Sequence, residues 1–87
     1  MKKVLFIISL ITVQLFATDL SFAMQAMEKG DFKTAFQHFK VAAEEGDIIA
    51  QQNLAVLYNN GLGVKQDTQC AAYWIEQSSQ SAKVALK

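Results

Sequence analysis

Three features of the 87-residue sequence carry side chains that could do chemistry: one histidine, one cysteine and a short acidic cluster. His38 could act as a base or a metal ligand, but no second histidine exists and no cysteine stands at metal-ligand spacing. Glu44, Glu45 and Asp47 could bring two carboxylates together for acid–base catalysis. They stand at a predicted helix end, where we expect solvated side chains. We therefore predict a packing role for His38, no catalytic residue, no metal and no cofactor.

Cys70 is the single cysteine, so no disulfide can form within one chain. In an oxidising compartment it could link two copies of the chain, or it could remain a reduced, lightly packed residue. Nucleophilic catalysis would need a neighbouring base, and the sequence indicates none. Both the linked and the reduced states stay open at this stage.

The charge balance bears on the class of partner. Eight basic residues, all of them lysine, match eight acidic residues, so the formal net charge is zero. Nucleic-acid binding needs clustered positive charge, and no basic face is present. The length allows at most one small domain. A nucleic-acid partner is therefore excluded.

The N-terminus has the layout of an export signal. Lys2 and Lys3 precede an apolar run over residues 4–16, and small residues follow. The run is shorter than the roughly 20 apolar residues that a membrane-spanning helix needs. We predict an exported protein, periplasmic or secreted, with no stable membrane span after cleavage. An uncleaved membrane anchor is the alternative.

Two cleavage sites are compatible with the leader. Residues 21–23 place small side chains at both recognition positions, whereas residues 15–17 place only one. Cleavage after Ala17 would instead preserve a full-length first helix that begins near Asp19. We assign the signal peptide to residues 1–23, with cleavage after Ala17 as the alternative, and the mature domain to residues 24–87.

Beyond residue 19 the apolar spacing is helical throughout, and no alternating run predicts a strand. Glycine followed by aspartate interrupts the pattern twice, at Gly30–Asp31 and Gly46–Asp47. Glycine favours the residue past a helix end, and aspartate favours the N-cap of the next helix. The fold class is therefore all-α, with helices near residues 19–29, 32–45, 48–60 and 68–80. Residues 81–87 either extend the last helix or fold back.

An internal repeat organises the chain. At an offset of 36 residues, Asp31 matches Asp67, Ala35 matches Ala71 and Phe39 matches Ile75. Single helix pairs cannot bury their own apolar faces, so neighbouring pairs must stack. The pattern predicts antiparallel helical hairpins arranged as a short α-solenoid.

The segment NNGLGVKQD, residues 59–67, fits a turn between two helices. Gly61 suits the position past a helix end, and Leu62 can fold back on that helix. Gly63 permits a tight turn, Val64 can fill the gap between the helices, and Asp67 can cap the next helix. A phosphate-binding loop is excluded because neither a third glycine nor a lysine–serine pair follows.

Residues 50–79 resemble one Sel1-like repeat, which is related to the tetratricopeptide repeat. The matching positions are Ala50, Leu54, Tyr58, Gly61, Gly63, Val64, Asp67, Ala71 and Trp74. Upstream, Gly30, Asp31, Ala35 and Phe39 stand at the corresponding structural positions of a preceding repeat. Two departures stand out: Ala55 replaces the usual glycine, and Ser78 with Ser79 replaces the usual alanine pair. The resemblance implies about two repeats, near residues 19–46 and 47–82.

In this family the first helix of each pair lines a groove that holds partner peptides. The resemblance therefore implies a contact surface on the polar side of the third helix and a Trp74 that packs between helices. Tyr73 falls on another side of its helix, where an exposed aromatic side chain would suit a binding surface. The predicted contact residues are Gln52, Asn53, Val56, Asn59, Asn60 and Tyr73. A merely solvated polar face is the alternative.

The sequence predicts an exported, non-enzymatic module that binds a protein or peptide. A self-associating structural accessory, linked through Cys70, is the second hypothesis, and a truncated remnant of a longer repeat protein is the third. An enzyme is the weakest class, since no nucleophile–base pair, metal cluster or cofactor loop is present.

Overall fold

The computed structural model describes residues 18–85, which form four α-helices and no strand. The all-α prediction is confirmed. The last helix continues to Ala85 instead of ending near residue 80, because no glycine or proline interrupts it. The helices are α1 (Asp19–Glu28), α2 (Phe32–Glu44), α3 (Ile48–Asn60) and α4 (Thr68–Ala85).

Each helix begins at a side-chain cap, which explains why the helices start where they do. A cap oxygen accepts a backbone N–H that the first helical turn leaves without a partner. Asp47 does this at 2.9 Å from the nitrogen of Ala50, and Asp31 at 3.3 Å from that of Thr34. Thr18 caps α1, and Asp67 caps α4 by accepting from two backbone nitrogens, each at 3.1 Å.

The helices pack in chain order, with α1 against α2, α2 against α3, and α3 against α4. Phe39, Leu54 and Leu57 are the largest fully buried side chains, and alanines fill the remaining core positions. Small alanines let the helix axes approach closely, while the three large side chains occupy the centre. The result is a single seam, meaning one continuous row of core residues to which both hairpins contribute.

The two hairpins follow the same design. Ala23 in α1 and Leu54 in α3, which correspond at an offset of 31, are both fully buried. Ala35 in α2 and Ala71 in α4, which correspond at an offset of 36, are buried as well. Equivalent positions in the two halves therefore point to one common interior.

The turn between α3 and α4 has the left-handed geometry that its glycines permit. Gly61 ends α3 with a φ of 67°, and the backbone nitrogen of Leu62 donates to the Leu57 carbonyl at 2.9 Å. Leu62 packs against the core, and Val64 is half-buried. The backbone nitrogen of Asp67 donates to the Tyr58 carbonyl at 2.9 Å, which returns the chain to α3 before α4 begins.

Gly63 makes a long-range contact that the sequence did not reveal. Its φ is 72°, and its backbone lies directly against the start of α2. A β-carbon added at Gly63 would overlap the backbone carbonyl group of Phe32 and lie 2.7 Å from the nitrogen of Lys33. Glycine is thus required both for the turn and for the approach of the two hairpins.

The segment 18–23, which falls between the two predicted cleavage sites, forms the first half of α1. Ala23 is fully buried, and Leu20 packs against the core. The remainder of the predicted signal peptide, residues 1–17, lies outside the described residues, as do residues 86–87. No helix among the described residues combines the length and apolarity that crossing a membrane requires.

We expect Gly63→Ala to lower the free energy of unfolding by about 3 kcal/mol. About 1 to 2 kcal/mol comes from the left-handed backbone and the rest from the clash with the start of α2. Gly30→Ala is the matched control, because Gly30 has a φ of 76° but no atom within 4 Å of an added β-carbon. That control should cost about 1 kcal/mol. Urea denaturation measures both losses, and equal losses would contradict the close contact.

We also expect acid to destabilise the fold through its caps. The backbone N–H of Cys70, followed by its thiol, lowers the pKa of the Asp67 carboxyl below the ordinary value of 3.8. A carboxyl with a lowered folded-state pKa contributes its full stability above the unfolded-state pKa and loses it as the pH falls through the folded-state value. The free energy of unfolding should therefore fall as the pH drops from about 5 to about 2.

The variant Asp67→Asn isolates this contribution, because an amide can still cap α4 but has no carboxyl to titrate. Its free energy of unfolding should fall less with acid than that of the wild-type chain. Glu44→Gln removes an exposed carboxyl that caps no helix and serves as the control. Identical acid dependence for the wild-type chain and Asp67→Asn would contradict this role.

Candidate functional site

A groove of about 400 Å³ runs between α3 and α4 on the side away from the first hairpin. Amide and small or branched apolar side chains line it, and none of the lining residues is charged. The lining residues are Gln52, Ala55, Val56, Asn59 and Asn60 from α3, with Ile75, Ser78 and Ser79 from α4.

The structure brings four of the six predicted contact residues together in this groove: Gln52, Val56, Asn59 and Asn60. Asn53 is half-buried beside the groove, and its amide donates to the Ile49 carbonyl at 2.9 Å. Tyr73 is exposed but stands on another side of α4, where its ring meets that of Trp74 edge to face at 5.0 Å. Asn53 and Tyr73 therefore do not line the groove.

The α4 side of the groove was not among the predicted contact residues. Ile75 stands at the edge of the groove and is 55% exposed. Phe39, which is the equivalent residue in the first hairpin, is fully buried. The offset of 36 residues had already paired these two positions, and that pairing is the signal that could have found Ile75. Ala55 is buried in the floor, at the position where the related repeats carry glycine.

Hydrogen bonds within the helices already engage part of the polar lining. The Ser78 hydroxyl donates to the Ile75 carbonyl at 2.7 Å, and the Asn60 amide donates to the Val56 carbonyl at 3.0 Å. Ser78 therefore contributes a small side chain to the groove, and its hydroxyl hydrogen is already donated within α4. The side-chain amides of Gln52 and Asn59 make no hydrogen bond to another described residue, so they are available to a bound molecule.

A second hollow, of about 460 Å³, lies on the opposite side of α4 near the start of α3. Gly46, Ile48 and Val84 contribute to its lining together with polar residues of α4. It is larger, but it contains none of the predicted contact residues. The groove beside Ile75 is therefore the better candidate site.

His38 forms a side-chain pair with Asp19 across the first hairpin. Its Nδ1 lies 2.7 Å from Oδ1 of Asp19, and its ring centroid lies 5.5 Å from that of Phe22. A histidine–carboxylate pair is also half of a hydrolytic triad. Within residues 18–85 no hydroxyl or thiol hydrogen-bonds to His38, so the pair joins α1 to α2 without a nucleophile beside it.

Cys70 lies half-buried at the start of α4, and its thiol donates to Oδ2 of Asp67 at 3.2 Å. This hydrogen bond to a carboxylate, together with burial, raises the pKa of the Cys70 thiol. The thiolate is the reactive form of cysteine, so the neighbouring aspartate suppresses its reactivity. The described residues also contain no group of three or more histidine, cysteine or acidic side chains that could hold a metal ion.

Gln51 is a buried polar residue that the sequence analysis did not single out. Its Nε2 donates to the Ala43 carbonyl at 3.1 Å, near the end of α2, while its Oε1 has no partner among the described residues. The side chain fastens α3 to α2 at the cost of one unpaired acceptor. It lies on the side of α3 that faces the first hairpin and so stands outside the groove.

Comparison with protein families gives a match to the Sel1 repeat over two consecutive segments, residues 25–47 and 48–82. These segments cover α2 and α3–α4 with the turn between them, and the first begins inside α1. Neither the comparison with curated proteins nor the comparison with solved structures gave a match. Sel1 repeats generally mediate protein–protein interactions and are typically not enzymes. With two repeats that together span most of its length, this chain belongs to the Sel1 repeat family.

Proposed function

We propose that the chain is an exported, non-enzymatic module that binds another protein through the groove between α3 and α4. The observation that carries the proposal is the uncharged lining of that groove, with Val56 and Ile75 exposed at its edges and free amides on α3. Exposed apolar side chains next to unsatisfied polar groups are typical of surfaces that bind proteins.

The shape of the groove favours a protein segment over a small molecule. Small-molecule sites enclose most of the ligand surface, whereas this groove is half-open and would leave part of a bound molecule exposed. Gln52 and Asn59 can donate to and accept from a polypeptide backbone without requiring a charged partner. Ala55 and Ser78 form a low floor over which apolar side chains can pack.

The chemistry of the reactive side chains supports a binding role. His38 is engaged with Asp19, and the Cys70 thiol is engaged with Asp67. Neither lies in the groove, and among residues 18–85 His38 has no nucleophile beside it and Cys70 has no base beside it. Binding through surface shape needs no such partner.

Export is supported by the sequence of residues 1–17, and the fold bears on where the leader is removed. Cleavage after Ala23 would remove the cap residue Thr18, the Asp19–His38 pair and the buried Ala23. Cleavage after Ala17 would retain all of these. We therefore propose that the mature chain begins at Thr18.

Intact-mass measurement of the exported chain should thus give a product that begins at Thr18. Purified chains that begin at Thr18 and at Met24 provide the energetic comparison. The shorter chain loses half of α1, including the buried Ala23 and the Leu20 side chain that packs against the core, so its free energy of unfolding should be lower by about 2 kcal/mol or more. A mature product that begins at Met24 and unfolds with unchanged stability would refute this assignment.

Protein binding can be tested by site-specific photo-crosslinking in living cells. A photoreactive amino acid at Gln52 or Asn59 should give discrete crosslinked products, because both side chains line the groove. The matched control is Lys40, an exposed residue of α2 that lies outside the groove. Mass spectrometry then identifies the trapped protein. Equal crosslinking from Lys40 and from the groove, or none from either, would contradict the proposal.

A further inference from the structure

The groove is the open end of the repeat stack. In the first hairpin, Phe39 and Ala43 of α2 are buried because α3 packs over them. Their equivalents in the second hairpin are Ile75 and Ser79, and both are exposed. No further helix among the described residues covers them. The second hairpin therefore presents a helix-packing surface that no described part of the chain covers.

This surface carries both projecting and small side chains. Val56 and Ile75 project at its edges, at 47% and 55% exposure, and small residues form the floor between them. In an interface with two-fold symmetry, the projecting Ile75 of one copy would meet the floor of the other copy, and the reverse. Projections and floor on the same face thus satisfy the geometric requirement for self-association.

The absence of charge from the groove lining also favours association of two copies. Near a two-fold axis each residue approaches its own copy, so a charged residue would meet a like charge. None of the lining residues is charged, and the side-chain donor of Ser78 is satisfied within its own helix. A second copy can therefore cover this face without burying a charge or leaving a serine donor unpaired.

We propose that the occupant of the groove is a second copy of this chain, docked face to face so that α3 and α4 of both copies form a four-helix arrangement. The inference rests on the proposed protein-binding function of the groove and names its partner. It needs no disulfide, because Cys70 lies outside the groove and its thiol is bound to Asp67. The association is thus non-covalent and insensitive to reductant.

The test is sedimentation velocity on the protein purified after expression of the full sequence, with and without reductant. We expect a concentration-dependent monomer–dimer equilibrium that reductant leaves unchanged. Ile75→Lys should raise the dimer dissociation constant roughly 30-fold or more, because it puts a charge on a side chain that the interface would bury. Tyr73→Lys is the matched control, since Tyr73 is 54% exposed on the same helix but lies outside the groove. Its effect should stay within about twofold.

A crosslinking experiment checks the geometry separately from stability. In a Cys70→Ser background, Ser79→Cys should give a dimer with a short thiol crosslinker, and Tyr73→Cys should not. Circular dichroism verifies that every variant is folded, as expected for substitutions at exposed positions. A chain that stays monomeric at all concentrations, a polymer larger than a dimer, or equal effects of Ile75→Lys and Tyr73→Lys would overturn the proposal.

The outcome also separates this inference from the function on which it depends. If the chain is monomeric while photo-crosslinking at Gln52 traps a different protein, the second-copy inference fails and the protein-binding function stands. If the chain is monomeric and the groove traps nothing, both fail. A crosslinked product of twice the chain mass supports both.

Discussion

The close approach of the turn at Gly63 to the start of α2 is the constraint on which the arrangement of the two hairpins depends. Adjacent helices can slide or tilt against each other when alanines form much of their interface, because small side chains interlock weakly. The Gly63 backbone lies against the carbonyl of Phe32 and so sets the position of the second hairpin relative to the first. The seam of core residues and the orientation of α3 follow from that contact. The groove depends in turn on the orientation of α3.

The helix boundaries could be predicted from the sequence, because each helix start and end depends on a few neighbouring residues. Asp31 and Asp47 cap the helices that the glycine–aspartate pattern predicted, and Asp67 caps the helix that follows the predicted turn at residues 59–67. The all-α solenoid follows from the spacing of apolar residues. The contacts between residues far apart in the chain could not be predicted from the sequence. A glycine that serves a turn and a glycine that also faces another helix look identical in sequence, and the Asp19–His38 pair joins residues whose separation gave no periodic signal.

The groove was predictable on one side only. Gln52, Val56, Asn59 and Asn60 lie on the non-core side of a helix whose core side was clear, and the resemblance to Sel1-like repeats implied a contact surface there. Ile75 and Ser79 stand at positions that are core in the first hairpin. Serines in place of the usual alanine pair indicated that this face differs, and the three-dimensional arrangement shows that no described helix covers it. The offset between repeats thus identifies matching positions but not which copies of those positions have a neighbour.

The difference in side-chain size between the equivalent first helices of the two hairpins bears on the dynamics of the chain. Ala23 and Ala26 of α1 occupy the positions that Leu54 and Leu57 fill in α3, so α1 buries less apolar surface against its neighbour. Local opening requires least free energy where the fewest apolar contacts are lost. Reversible fraying should therefore start at the N-terminal end of the stack, while α3 and α4 keep their packing. The groove between α3 and α4 would then remain intact during the most frequent local opening of the native chain.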